Sequence, residues 1–372
     1  LSEKKELPIH LVIKALERNV VDVPLVQPDQ PFEDLHYKSF DLNTKNFLPL
    51  PKHTMERTIS FVDGGTAEII GAPNFSVGLN RIYFNLFKDE KRQEAKNLPQ
   101  RIDFFTVCVA KPNNGQIVYQ TELVPLKEEW AAFLPDTSDL TFNSLESTLT
   151  TGSQRVPISL IIDIARMFSE WNLSQLVISN ELEKGDVLVR DGTLQAIVLH
   201  EEKYAQRAYE AAVKKGVYFS ALSKTSTLLT KTGLPLMSAI NSLSEGSALR
   251  DDTWYYYPIF EINKPQHQAE MFAVKLHRRS EYVFRFEVLK EQVNKNNLAD
   301  IGLIISSLAK NSMDFTFPGY PYGLIDADKF ARVTGTEKRN NEFQLKSISG
   351  RMWRNISQCI KSSDAHGILN KI

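Results

Sequence analysis

The feature that most limits the fold of this chain is the order of its segments from Thr58 onward. Four β-prone stretches follow one another: "ISFVD", "RIYFNLFKD", "IDFFTVCVA" and "QIVYQTELVPL". "KPNNGQ", from Lys111, is a hairpin signal between the last two. A polar stretch at 134–154 reads as a loop or insertion. "PISLIIDIARMFSEWNLSQLV" then shows helical spacing, with Pro157 near its first turn. The strand "DVLVRD", a helix over "EEKYAQRAYEAAVKKG" and a strand "VYFSALSK" come next. Consecutive strands, then a helix, then strands alternating with helices predict an α/β fold, a mixed sheet covered by helices. The last third adds strands "DTWYYYPIF", "AEMFAVKLH" and "YVFRFEVL", a helix at 296–310, a turn in "FPGYPYGLIDAD" and a C-terminal helical region. Ahead of Thr58, residues 1–20 read as an amphipathic helix. Residues 21–57, rich in Pro, Asp and Lys, read as an extended arm. Three regions are therefore expected: 1–57, 58–335 and a basic helical 336–372.

Composition excludes several functions. Lys plus Arg (44) nearly balances Asp plus Glu (45), so no global field draws in nucleic acid, and a polyanion site must be a local patch. One such patch is the stretch from Lys329 to Lys361, where eight Lys and Arg meet only Glu337 and Glu342, with Phe343 and Trp353 interleaved. It suits a nucleic-acid backbone, a partner interface or a plain solvated face. The two cysteines, Cys108 and Cys359, are far apart, and no Cys/His ligand spacing exists, which argues for free thiols in a reducing cytoplasm and against structural zinc. The N-terminus is charged and lacks the apolar core of a signal peptide. The longest apolar runs, "PISLIIDIA" and "IGLIISSLA", are about half a membrane span. No GxxxxGK[ST] is present, so ATP hydrolysis through a P-loop is not expected.

Two stretches carry the chemistry. "SFVDGGTAEIIG" and "DVLVRDGTLQAIVL" both close a β-prone run on Asp-Gly, at Asp63 and Asp191. Either alone reads as a tight hairpin. Together they read as two strand-end carboxylates in one sheet, which cannot both stay ionised cheaply side by side without a cation. Divalent hard cations are the usual solution, and two of them can clamp the oxygens of a phosphodiester. A further carboxylate should come from a helix facing the sheet edge. Glu170, in "RMFSEW", is the candidate, and Glu122, in "VYQTELVPL", its rival. His277 closes a strand beside Lys275, Arg278 and Arg279, a setting suited to phosphate or to proton transfer, although a lone strand-end histidine is more often a surface residue. Lys224 ends another strand and could meet a phosphate as a point charge.

The ordered set "FVDGG", "RMFSEW", "DVLVRDGTL", "VYFSALSKTS", "FAVKLHRRSEYVFRFE" and "GYPYGLIDADKFARV" resembles the NurA nuclease family, over residues 58 to 335. The resemblance implies an RNase H-like fold and a manganese-dependent DNA nuclease, with magnesium the alternative ion. It further implies a homodimer working with a HerA-type hexameric ATPase, in double-strand-break processing with 5′–3′ polarity or in antiphage defence. Asp63, Glu170, Asp191 and His277 match its catalytic and metal-binding residues; Lys224 matches a strand-end lysine, and Lys275, Arg278 and Arg279 are expected on DNA. A tyrosine that the family places shortly before the histidine has no clear counterpart, since Phe272 stands in "AEMFAV" and Tyr255, Tyr256 and Tyr257 lie farther back. Residues 73–157 and the first fifty do not align. Two other readings use the same fold, a catalytically silent platform for an ATPase ring and an RNA-directed nuclease.

Overall fold

The computed structural model describes residues 8–16, 27–29, 35–52, 56–88, 90–150, 152–295 and 298–363. Helix α1 (Pro8–Leu16) falls within the expected N-terminal helix, whose remaining residues lie outside those described. Two short strands follow, β1 (Tyr37–Ser39) and β2 (Phe47–Pro49). Next come β3 (Thr58–Ala72), β4 (Phe75–Lys88), β5 (Lys91–Gln93), β6 (Arg101–Asn113), β7 (Gln116–Pro125) and β8 (Phe142–Asn143). Helix α2 (Leu160–Asn180), β9 (Val187–Asp191), α3 (Glu201–Lys215) and β10 (Tyr218–Ser223) alternate as expected. They are followed by α4 (Leu236–Ser244), β11 (Trp254–Tyr256), β12 (Phe260–Ile262), β13 (Ala269–Lys275) and β14 (Phe284–Leu289). The described chain closes with α5 (Lys290–Lys295), α6 (Leu298–Lys310), α7 (Tyr322–Ala331), α8 (Gly335–Ser349) and α9 (Met352–Ser363).

The chain forms two compact units. One comprises Glu56–Asp191, Ala196–Phe219 and Tyr322–Ile372; the other comprises Leu1–Met55, Gly192–Gln195 and Ser220–Pro321. The first, here the β3 unit, holds a sheet in the order β9-β3-β4-β6-β7-β8. β3, β4 and β6 are antiparallel, and β9, reached through α2, runs parallel to β3 on its other side. Three antiparallel strands, a helix and a strand parallel to the first make the RNase H-like arrangement, a large mixed sheet flanked by helices. The expected hairpin after Lys111 is present: Asn114 and Gly115 both have positive φ, the two-residue turn whose twist matches the flanking strands.

Alternation along the strands assigns the faces of this sheet. Asn80 of β4 donates to the Ile162 carbonyl of α2, at 3.0 Å. Arg81 donates to the Arg332 carbonyl just past α7, at 2.7 Å, and Asn85 to Gly323 and Asp326 within α7, both at 2.8 Å. The even positions of β4 therefore face α2 and the odd ones face α7. C-terminal helices α8 and α9 extend the α7 side, with Leu345, Trp353, Ile356 and Ile360 packed against Ile69, Ile70 and Leu79.

The second, the β13 unit, is an antiparallel sheet in the order β2-β11-β13-β14-β10. Its core gathers Trp254, Tyr256, Phe260, Met271 and Ile240. The described part of the expected arm is stitched into it: β1 pairs with β12 and β2 with β11. The expected strand "DTWYYYPIF" is two strands, because Pro258 offers no amide donor to a continuous ladder.

Candidate metal centre

Asp63 is not at a strand tip. β3 runs on through Gly64 and Gly65 to Ala72, paired with β4 along its length. The two glycines belong to helix packing. A Cβ on Gly64 would lie 2.3 Å from Glu170 Oε1, and one on Gly65 would lie 2.2 Å from the Ala331 carbonyl oxygen. A larger residue at Gly64 would displace the Glu170 and Arg166 side chains, and one at Gly65 would push the end of α7 off the sheet. Asp191, in contrast, ends β9 as expected, and Gly192 turns the chain there with φ +103°.

The two aspartates stand side by side. β3 and β9 are in register from Ile59↔Val187 to Val62↔Arg190, so Asp63 and Asp191 are the next pair. Asp63 lies opposite Tyr83, an odd position of β4, and thus faces α7. Arg190 faces α2, where it meets Glu170 and covers the Trp171 ring at 4.0 Å, so its neighbour Asp191 also faces α7. From α7 itself comes a third acid, Asp328. Oxygens of Asp63, Asp191 and Asp328 all lie within 4.8 Å of one another. Asp63 is buried and the other two half-buried. Asp63 Oδ1 accepts from the Gly64 amide at 2.7 Å, and Asp328 Oδ2 from Arg332 at 2.9 Å. A set of three hard oxygen donors in mutual reach fits a hard divalent cation.

Sequence reasoning missed Asp328 because "FPGYPYGLIDAD" reads as a turn. The turn ends at Pro321, and α7 starts at Tyr322. The available signal was helical spacing: Leu324, Ala327 and Ala331 are buried at i, i+3 and i+7.

Glu170 is buried, at 3% exposure, with its carboxylate over Gly64 on the α2 side of the sheet, and it is not among the three acids that converge on the α7 side. Its carboxylate is shared by Arg166, one helical turn back, and Arg190 at 3.2 Å. The Glu170 charge, above all, raises the Arg166 pKa, with Asp163 and Asp63 adding to it. Glu122, the rival, is exposed on β7 opposite Val107 and joins no such group among the described residues.

The remaining expected residues lie in the β13 unit. β13 ends at Lys275, and His277 sits half-buried in the following turn, its Nδ1 accepting from the Arg279 amide at 3.1 Å. Arg278 is exposed and pairs with Asp252; Arg279 is exposed. Lys224 is exposed just past β10, 6.0 Å from the Tyr320 ring centre. Lys275 is buried, with its ammonium donated to the Arg250 carbonyl at 3.3 Å, which turns it away from phosphate. Tyr257, among the tyrosines considered before the histidine, stacks on Phe272 and donates to Glu270.

The sequence matches the family model of the NurA domain over residues 57–333. Among solved structures it is similar to the NurA nuclease of Sulfolobus solfataricus, with 12% identity, TM-score 0.49 and 92% of each chain covered. It is also similar to the catalytic domain of human endonuclease V, with 12% identity, TM-score 0.34, and 94% and 99% of the two chains covered. No curated protein sequence matches it. No helix among the described residues is long and apolar enough to cross a membrane.

Proposed function

Because this chain belongs to the NurA family, we propose that it is a metal-dependent deoxyribonuclease that hydrolyses phosphodiester bonds at the Asp63–Asp191–Asp328 cluster. The convergence of these three carboxylates carries the reading. A divalent ion held there, manganese or magnesium, would neutralise phosphate charge and supply an activated water. Asp63 and Asp191, fixed on adjacent strands, give the rigid part of the ligand set. Asp328 brings the third carboxylate from α7. Glu170 is taken as a fourth acid, held at the Gly64 gap on the α2 side by Arg166 and Arg190. Lys224, His277, Arg278 and Arg279 are assigned to the DNA, the cations to its phosphates and the imidazole to orientation or proton transfer.

The reading extends to a cytoplasmic homodimer that receives DNA from a HerA-type hexameric ATPase, in double-strand-break processing or antiphage defence. Family membership supports this part, and the lack of a P-loop in the chain agrees with a separate motor. The test is cleavage of end-labelled linear DNA with manganese, magnesium or EDTA, with and without the ATPase. Cutting that needs the metal and disappears in Asp63→Asn and Asp328→Asn is expected. Wild-type cutting by a folded Asp328→Asn chain would remove Asp328 from the site. Absence of cutting with every metal, even with the ATPase, would leave a silent platform.

A further inference from the structure

Helix α7 carries a second acid that the metal cluster does not use. Asp326 stands two residues before Asp328, which sets the two side chains about 200° apart around the helix. Asp328 converges with Asp63 and Asp191, whereas Asp326 meets β4. Asp326 is buried, at 7% exposure, and is held from two strands. Asn85 of β4 donates to its Oδ2 and to the Gly323 carbonyl, both at 2.8 Å, and Arg92 of β5 reaches its Oδ1 at 3.4 Å. One helical turn further on, Phe330 stacks on Tyr83 of β4, with ring centres 5.3 Å apart. The Arg92 guanidinium closes the group: it donates to the Tyr83 hydroxyl and covers the Phe330 ring at 5.0 Å. Asp326 and Phe330 thus share the stripe of α7 that faces β4, and Asp328 lies on the stripe that faces the strand-borne aspartates.

Close packing fixes how near α7 lies to the sheet. A Cβ on Gly323 would sit 2.1 Å from the Phe61 ring, and the Ala331 carbonyl lies against Gly65, so both ends of the helix press on β3. Such contacts set a distance and leave rotation about the helix axis open. That rotation decides where the Asp328 carboxylate points. A buried carboxylate is a costly way to pack a helix. Its hydrogen bonds are directional, however, and an apolar side chain in its place would give contact without direction.

We propose that Asp326 and Arg92 are positioning residues for the metal centre. With Asn85, Tyr83 and Phe330 they fix the rotation of α7 and so hold the Asp328 carboxylate against Asp63 and Asp191. The inference rests on the metal-centre reading and adds residues that act on the site without touching it. Partners that orient a ligand in this way are worth about 10–100-fold in metal affinity.

The test is calorimetric titration of the full chain with manganese, with urea denaturation to verify that each variant is folded. Asp326→Ala and Arg92→Ala should each weaken manganese binding by roughly 10-fold, the lower end of that range. Asp326→Asn, which keeps an acceptor for Asn85, should retain more affinity than Asp326→Ala. Lys203→Ala is the control. It removes a cation of similar side-chain exposure, 43% against 40% for Arg92, from its pair with Asp139 in the same unit, and should leave manganese binding unchanged. The Arg92 side chain is partly exposed, so its variant decides the matter if Asp326→Ala fails to fold. Wild-type affinity in the folded alanine variants, an equal loss in Lys203→Ala, or a loss in Asp326→Asn as large as in Asp326→Ala would each overturn the proposal. If Asp328→Asn loses affinity and the two alanine variants do not, this inference fails alone. Manganese binding that is absent from the wild-type chain, or unchanged in Asp328→Asn, would sink the metal-centre reading and this inference with it.

Discussion

The two Asp-Gly stretches look alike in sequence and are built for different reasons. At Asp63-Gly64 the backbone is ordinary strand, and glycine is needed because the Glu170 carboxylate occupies the place of a Cβ. At Asp191-Gly192 no atom lies within 4 Å of a built Cβ, and glycine is needed for its positive φ. One site demands space and the other demands a backbone angle. Both nevertheless deliver a carboxylate to the same point, because parallel register between β3 and β9 sets the two aspartates beside each other. The dipeptide is therefore a poor guide to local structure and a good guide to the site.

The largest expected effect tests whether the two aspartates are equivalent. Asp63→Asn and Asp191→Asn should each lower metal-dependent cleavage by on the order of 10³-fold, the scale for losing a group that stabilises transition-state charge. Asp328→Asn should match them, although its acid comes from a helix. Calorimetric titration with manganese should show weakened binding in all three. A variant that cuts normally yet binds no metal would separate the cluster from catalysis.

The glycines are distinguished by stability. Gly64→Ala should cost about 1–3 kcal/mol through overpacking against Glu170 and Arg166. Gly192→Ala should cost a similar ~1–3 kcal/mol through backbone strain. A double-mutant cycle with Glu170→Ala then breaks the tie. Removing Glu170 should relieve Gly64→Ala, with a coupling of about 0.5–3 kcal/mol, and leave Gly192→Ala uncoupled within ~0.5 kcal/mol. Urea denaturation of the four variants would measure both. Equal coupling at the two glycines would mean that space is not what distinguishes them.

What could be read from the sequence follows from how local each signal is. The strand–helix alternation, the Asn114-Gly115 hairpin and the pairing of Asp63 with Asp191 all rest on patterns a few residues long. The length of β3 did not, because Gly64-Gly65 interrupts the apolar alternation where helices α2 and α7 approach. Asp328 is hidden by Pro321 and Gly319, whose turn signal is stronger than the short helical spacing that follows them. The arginine pair around Glu170 was hidden for another reason. Arg166 is a turn away on the same helix, but Arg190 reaches it only because β9 packs beside β3 under α2. A need for one more carboxylate from a helix was legible; which helix supplies it depends on how the chain closes over the sheet.

The smallest effect concerns how the helix-borne acid is kept in place compared with the strand-borne pair. Asp63 and Asp191 are fixed by backbone ladders that acid does not touch. The chain just past α7 is held by buried Arg81, which donates to the Arg332 carbonyl, to Asp103 and to Glu337, each at 2.7 Å. The Arg81 hydrogen bond, with bonds from the Thr334 amide and hydroxyl at the start of α8, lowers the Glu337 pKa to about 2, while burial acts against it. A carboxyl whose folded pKa is depressed contributes stability that is fully present above its ordinary value of 4.5 and is lost as pH falls through about 2. Between those limits the Arg81–Glu337 contact should weaken while the β3–β9 ladder persists. Hydrogen exchange from pH 5 to pH 3 should then show α7 and α8 losing protection ahead of β3 and β9. Glu337→Gln, unable to titrate, should flatten that pH dependence. Simultaneous loss across helices and strands, unchanged by Glu337→Gln, would mean that all three aspartates rest on one cooperative support.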